Sequence, residues 1–362
     1  MAISCERPPT SDSHTIVMKK SSKPSPGESS SSRTPLASAH TTDCMCVKSS
    51  PEHSHRFLRV EKSHFEVPIA FFAQMPPEIH NLIGFTSGRG LVVEEPLVFS
   101  GHTVDQFRKL LWAFISYPSI ELRQFTLEEL LSINELAHKY YQLDVRAWAI
   151  SALAGIVNHP CSPLRTASSQ LFLRVLRLAV LCNKPELSLS IQIKWITRLH
   201  WHQLSPTPAI LIADIFNLRH LLSHAYYMHL VLMQSPSKPP RFKKDPELTP
   251  KQNMHVQCGY YSLMSYWRHL QTTPPEFKRS AQCDNHRQCV EAWKMRWYKA
   301  SSRLCPHPEI DVLSRLRFMQ DTLEADLLLG VCLTVQCRTQ ALASVSKKRE
   351  EIANNLHHHF DL

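Results

Sequence analysis

The strongest chemical signal in this sequence is a short run of soft ligands. Cys283, His286 and Cys289 form C-x2-H-x2-C, and Cys305 and His307 follow a little further on. Thiolates and imidazoles are the ligands of tetrahedral zinc, and a closed structural site needs four of them at firm spacing. Here the run leads into a tryptophan-containing segment of helical period, and no fourth ligand stands at a firm spacing. The residues therefore read as packed or exposed thiols, and no metal ligand is assigned.

The other reactive residue types fall short of a mechanism. His220 and His224 stand four apart, as in metalloprotease helices, but Leu221 occupies the place of the glutamate base. Without that base the hydrolytic water has no proton acceptor. The pair reads as a solvated histidine face, and His200, His202 and His357 to His359 read as surface residues. There is no G-x-S-x-G elbow, and nothing orients a base in the His159/Cys161 pair. Glu128, Glu129 and Glu135 fall on a helix exterior and in a cap, where they solvate and cap rather than act as general acids. No catalytic residue, cofactor-binding residue or cofactor is assigned.

Basic residues interleaved with Tyr260, Tyr261, Tyr266, Trp267, Trp293, Trp297 and Tyr298 could stack on single-stranded nucleic acid. The four-residue step from Trp293 to Trp297 puts both on one face instead, which reads as core. The basic run 241–246 (RFKKDP) reads as a solvated linker. GFTSGRG carries Gly84, Gly88 and Gly90 but no following Lys-Ser/Thr, so it is a loop and not a phosphate cradle.

Composition sets the frame for these residues. The 362 residues include only 8 glycines, which disfavours strand-and-turn architectures and glycine-rich phosphate loops, and 25 prolines that punctuate the periodic segments. The net charge of +10 raises attraction to polyanions without marking a binding face. Eleven scattered cysteines and a polar N-terminus without an apolar signal core predict free thiols in a reducing compartment, either cytoplasm or nucleus. The apolar runs are too short for a membrane span.

The densest helical periodicity lies in Val104–Leu153. Val104, Phe107, Leu110, Leu111, Phe114 and Ile115 make one stripe behind a Thr103 cap. Thr126 and Glu129 have capping-box spacing ahead of Leu127, Leu130, Leu131, Asn134, Ala137 and Tyr141. Asp144 is the expected cap of a third helix carrying Val145, Trp148, Ala149, Ala152 and Leu153. Upstream, HRFLRV and EEPLVFS read as strands, and KSHFEVPIAFFAQM as a short helix interrupted near Pro68. Downstream, SSQLFLRVLRLAVLC, a helix opened by Pro185, one opened near Thr207, and LRHLLSHAYYMHLVLM form helical pairs. Arg174 and Arg177 lie on the outer face of the first. A third helical set starts near Cys258, and the polar C-terminus from Lys347 is expected to fray. The fold class is α+β, predominantly helical.

The order of these parts resembles the fungal BTB/POZ domain proteins. The first helix is similar to the family's DxFRxLLWALYxxP pattern at Asp105, Phe107, Arg108, Leu110, Leu111, Trp112, Ala113 and Pro118. The following pair matches LLxIAxLAxKYxxxxxxxWA at Leu130, Leu131, Ile133, Leu136, Ala137, Lys139, Tyr140, Trp148 and Ala149. Gly259–Leu263, Trp267, Pro274, Pro275, Cys283, Cys289, Trp293 and Trp297 resemble the family's C-terminal region. One departure is that no Asp-Gly strand precedes FLRVEKSHFEVPIAFFAQM, and Glu61 stands where a histidine is typical. The resemblance implies this division: a Ser/Pro-rich disordered tail (1–54), a BTB/POZ-like domain lacking its first strand (55–158), and a helical region (159–233). A linker (234–256), a C-terminal helical region (257–345) and a tail (346–362) follow. It also implies a non-catalytic interaction adaptor whose partners are a second copy or a cullin ubiquitin ligase. The alternatives are a transcription- or chromatin-associated role, for which no DNA-reading element is seen, and a degenerate member of that family without retained binding.

Overall fold

The computed structural model describes residues 55–119, 125–234 and 246–362. Strand β1 (His55–Val60) turns through Glu61 and Lys62 into β2 (Ser63–Pro68). The expected helix over 63–68 is therefore a strand. In His64-Phe65-Glu66-Val67 the apolar residues alternate, so a strand turns Phe65 and Val67 inward and leaves His64 and Glu66 in solvent. A helix would scatter them. Pro68, which lacks an N–H, ends the strand, and a single 3-10 turn (Ile69–Phe72) sends Phe71 and Phe72 inward.

Helix α1 (Pro77–Ile83) closes on Gly84, which adopts the left-handed φ of 82°. The GFTSGRG loop then returns to the sheet, where the Gly90 carbonyl accepts the Phe57 N–H at 2.8 Å. A Cβ on Gly90 would come within 2.8 Å of Leu97 Cγ and 3.0 Å of the Phe57 carbonyl, so this glycine serves a close backbone approach. β3 (Leu97–Phe99) pairs parallel to β1, and β2 pairs antiparallel to it, giving the order β2-β1-β3. A hairpin strand thus precedes the helices, where a single surviving segment was expected.

Three helices cover one face of this sheet. α2 (Val104–Ser116) and α3 (Leu127–Lys139) both begin with complete capping boxes, Thr103 with Gln106 and Thr126 with Glu129. α4 (Leu143–Asn158) starts after Gln142, not at Asp144, which sits in its first turn. Ile115 is 63% exposed, so the inward stripe of α2 is narrower than its periodicity predicts. Leu58, Val60, Val67, Phe71, Phe99, Phe107 and Leu110 are buried together, and Phe99 stacks on Tyr140 with ring centroids 4.3 Å apart.

A second core begins on the same helices. Ile133, Leu136 and Ala137 of α3 belong to the first core, while Leu127 and Leu131 belong to the second. α5 (Ser169–Leu181), α6 (Pro185–His200), α7 (Thr207–Ile215) and α8 (Arg219–Met233) follow. Every residue of α8 from Leu221 to Val231 is buried, the mark of a helix surrounded by protein on all sides. α9 (Pro250–Thr272) starts seven residues earlier than the linker boundary at 256 predicts, because Thr249 and Gln252 form another capping box with Pro250 at the first turn. The basic run 241–245 and the Ser/Pro-rich 1–54 lie outside the described residues.

α10 (His286–Ser301), α11 (Val312–Glu324), α12 (Leu327–Cys332), α13 (Val335–Asn354) and α14 (Leu356–His359) complete the chain. The C-terminus does not fray from Lys347. Leu356 and Phe360 are fully buried, and the Phe360 carbonyl lies 2.8 Å from Nδ1 of His255 on α9. Among the described residues, no helix is long and apolar enough to cross a membrane.

Candidate functional site

The thiol–imidazole cluster is assembled from three separate pieces of chain. Residues 273–285, between α9 and α10, form neither helix nor strand. The fixed points of this loop are hydrogen bonds. Cys283 donates its N–H to the Ser280 carbonyl at 3.1 Å, and its own carbonyl accepts from Arg279 Nε and Nη2 at 3.0 and 2.9 Å. Asn285 then caps α10, with its side-chain oxygen accepting the Gln288 N–H at 3.3 Å, so His286 is the first helical residue and Cys289 lies one turn on. The third piece is the N-terminus of α13, where the Thr334 hydroxyl accepts the Cys337 N–H and turns that thiol inward.

The ligand atoms of Cys283, His286 and Cys337 all lie within 4.8 Å of one another. Sγ of Cys337 is 3.7 Å from Nδ1 of His286, and Sγ of Cys289 is 3.8 Å from Sγ of Cys283. The three cysteines are at most 4% exposed. Phe277 sets its edge against the His286 ring at 5.1 Å, and Trp293 donates its indole N–H to the Pro275 carbonyl at 3.0 Å, so the loop is packed around the cluster. Burial and the neighbouring Cys337 and Cys289 push the Cys283 thiol upward. Burial acts the same way on Cys337. There the Thr334 hydroxyl, a Ser280 backbone hydrogen bond, His286 and Cys283 outweigh it and hold the thiol below the usual range. Three buried thiols and an imidazole are a donor set suited to a soft or borderline metal ion.

The sequence found three of these residues and missed the fourth. Cys305 and His307 are not part of the cluster; His307 Nδ1 instead stands 3.9 Å from Asp311. Cys337 carries only a weak signal, a cysteine three residues after a helix-capping threonine, and a helical reading gives no reason to bring it beside Cys283. The described cysteines are all free thiols.

The remaining candidates resolve into structural roles. His220 and His224 are not a solvated face: His224 is 5% exposed, and its Nδ1 lies 3.0 Å from Nε2 of His200, which is itself half-buried. That direct hydrogen bond leaves no room for an ion between the two nitrogens. Burial foremost, then His200 and His220, lower the His224 pKa to about 3. His357 is half-buried, and His359 is tied to Ser262 at 2.8 Å, so only part of the C-terminal histidine run faces solvent.

His159 Nδ1 accepts the Cys161 backbone N–H at 3.1 Å, which commits that ring to a turn. Glu129 completes the α3 capping box, whereas Glu128 and Glu135 grip Arg174 at 2.6 and 2.9 Å and fasten α5 to α3. The Glu135–Arg174 pair lines a cleft of about 470 Å³ that also holds His138, Lys139 and Arg177. Trp267, Trp293 and Trp297 are core residues, as their spacing predicts, while Tyr261 and Tyr298 stand in solvent. No family model matches the chain, and neither a curated protein nor a solved structure is significantly similar to it.

Proposed function

We propose that this chain is a non-catalytic protein–protein interaction adaptor of the BTB/POZ type. The observation that carries the reading is the layout of residues 55–158. Hairpin β1–β2 crosses over through α1 to a parallel β3, and α2, α3 and α4 then close one aromatic core on the sheet. The sequence resemblance falls on these same elements. The segment FLRVEKSHFEVP, which carries the resemblance at this end, forms the hairpin β1–β2 ahead of the helices, and this supports the reading.

The surface supports the same reading. Among the described residues β2 and β3 pair on one side only, leaving two sheet edges with backbone groups that another chain can complete. At the C-terminal end of α2, Trp112, Ile115 and Tyr117 are 41%, 63% and 42% exposed, an apolar cluster of the kind partners cover. The partner class follows from the resemblance: a second copy of the chain, or the cullin scaffold of a ubiquitin ligase.

Light scattering on the full chain, paired with a cullin pulldown against a scrambled-sequence control, tests this. A dimer, or specific cullin retention, that is lost in Ile115→Asp is the expected result. A monomer that retains no cullin above the control removes the reading.

A further inference from the structure

We propose that Cys283, His286, Cys289 and Cys337 bind a single structural zinc ion that clamps the loop 273–285 and the N-terminus of α13 onto α10. The geometry is that of a ligand set. With Zn–S near 2.3 Å and Zn–N near 2.0–2.1 Å, a tetrahedral site spaces its sulfurs about 3.8 Å apart and its sulfur–nitrogen edges about 3.6 Å apart. The observed Cys283–Cys289 and Cys337–His286 separations are 3.8 and 3.7 Å. Cys283 lies within 4.8 Å of both members of the second pair, so three ligands share one centre, and Cys289 adjoins it through Cys283.

The surroundings fit a closed site. All three thiols are buried, so no ligand position is left to water, as in structural rather than catalytic zinc centres. With its ligands deprotonated, the bound site of Zn²⁺, three thiolates and a neutral imidazole carries one net negative charge. The Arg279 guanidinium, bonded twice to the Cys283 carbonyl, lies beside that charge and orients the ligand loop. The site also answers a folding question. Ordering a stretch without helix or strand between two long helices costs entropy, and a metal clip is one established remedy. A second tie runs parallel to the clamp: Gln336, next to Cys337, donates to Gln282, next to Cys283, at 2.6 Å.

Zinc quantification on the full chain, purified reduced from zinc-supplemented culture, tests the proposal. Wild type and Cys258→Ser, whose thiol is exposed on α9, are expected to carry one equivalent of zinc. Cys337→Ser, Cys289→Ser and His286→Asn are expected to lower zinc affinity by more than the roughly 10–100-fold that loss of an outer-shell partner costs. Should those variants not fold, wild type alone still decides. Mercurial titration releases the zinc to a chromogenic chelator, and cobalt exchange gives the intense visible bands and sulfur charge-transfer absorption of a tetrahedral thiolate site. A folded wild type that takes up no zinc or cobalt overturns the proposal. So does a metal-free Cys283–Cys289 disulfide in the purified chain, or a Cys337→Ser variant that keeps its full zinc.

Discussion

At the scale of single residues, the second core is organised by polar groups whose partners are distant in sequence. Tyr227 is 1% exposed; its hydroxyl donates to Asp311 Oδ1 at 2.6 Å and accepts the Leu313 N–H at 3.0 Å. The same Asp311 oxygen accepts the Ser314 N–H and caps α11. Burial first, then the Asp311 charge, drives the Tyr227 pKa well above that of a free phenol, so the hydroxyl remains a donor at every physiological pH. Removing that oxygen leaves a buried carboxylate and a buried N–H each short of a partner. Tyr227→Phe is therefore expected to lower unfolding free energy by about 1–3 kcal/mol. Tyr261→Phe, on a ring 72% exposed, is expected to stay within about 0.5 kcal/mol. Urea unfolding of both variants checks this, and equal midpoints would refute the network. The sequence shows the helix that carries Tyr227 but not this role, because its acceptor lies 84 residues away. Cys337 escaped for the same reason: periodicity reports which face a residue is on, not which distant segment meets it.

At the scale of elements, the legible parts are those with wide apolar stripes and explicit caps. The starts of α2, α3 and α6 stand where Thr103, Thr126 and Pro185 put them. The end of α13 and all of α14 were hidden by composition. In KKREEIANNLHHHFDL the large apolar residues are Ile352, Leu356, Phe360 and the terminal Leu362, and the four-residue step of the first three makes a seam one residue wide within a polar run. All three are nonetheless buried, at no more than 3% exposure. The seat for Phe360 is Gly259 in α9, where any added Cβ would overlap the phenylalanine ring. Gly259→Ala thus pits two effects against each other. Alanine gains about 1 kcal/mol of helix propensity over glycine, whereas overpacking a filled site costs about 1–3 kcal/mol. The variant is expected to be less stable than wild type. In a Phe360→Ala background, where the ring is gone, the same substitution is expected to stabilise. A double-mutant cycle by thermal or urea unfolding reads the reversal; the same sign in both backgrounds would show that α14 does not dock on α9.

At the scale of the whole molecule, the two cores meet on α3 and α4, so a perturbation of the helical core bears on the sheet unit as well. The largest such perturbation open to the solvent is acid, because burial disfavours the charged form of six histidines. His102, His138, His200, His220, His224 and His359 all have pKa values below the usual 6.5 of a free imidazole, burial being the first cause in each. The cluster on α8 is the clearest case. His224 faces His200 from α6 and His220 from its own helix, with His357 of α14 acting on His220 and His202 on His200; Asp311, acting on His200, and a hydrogen bond with the Ala353 backbone, acting on His224, pull the other way. The native state therefore declines a proton at His224 until about pH 3, while the unfolded chain accepts one near 6.5. Between those limits the unfolded state holds more protons, so stability is full above 6.5 and falls as pH drops. Each excluded proton contributes a slope of about 1.4 kcal/mol per pH unit. Unfolding free energy is expected to decline steeply between about pH 6.5 and 4.5, by more than one proton's slope because several histidines act together. His224→Gln keeps a hydrogen-bonding side chain beside His200 but cannot titrate, so it is expected to flatten the dependence by about one proton. Denaturant titrations across that range measure both slopes. A wild type whose stability is constant or rises on acidification, or a His224→Gln variant with an unchanged slope, would contradict the neutral histidine core.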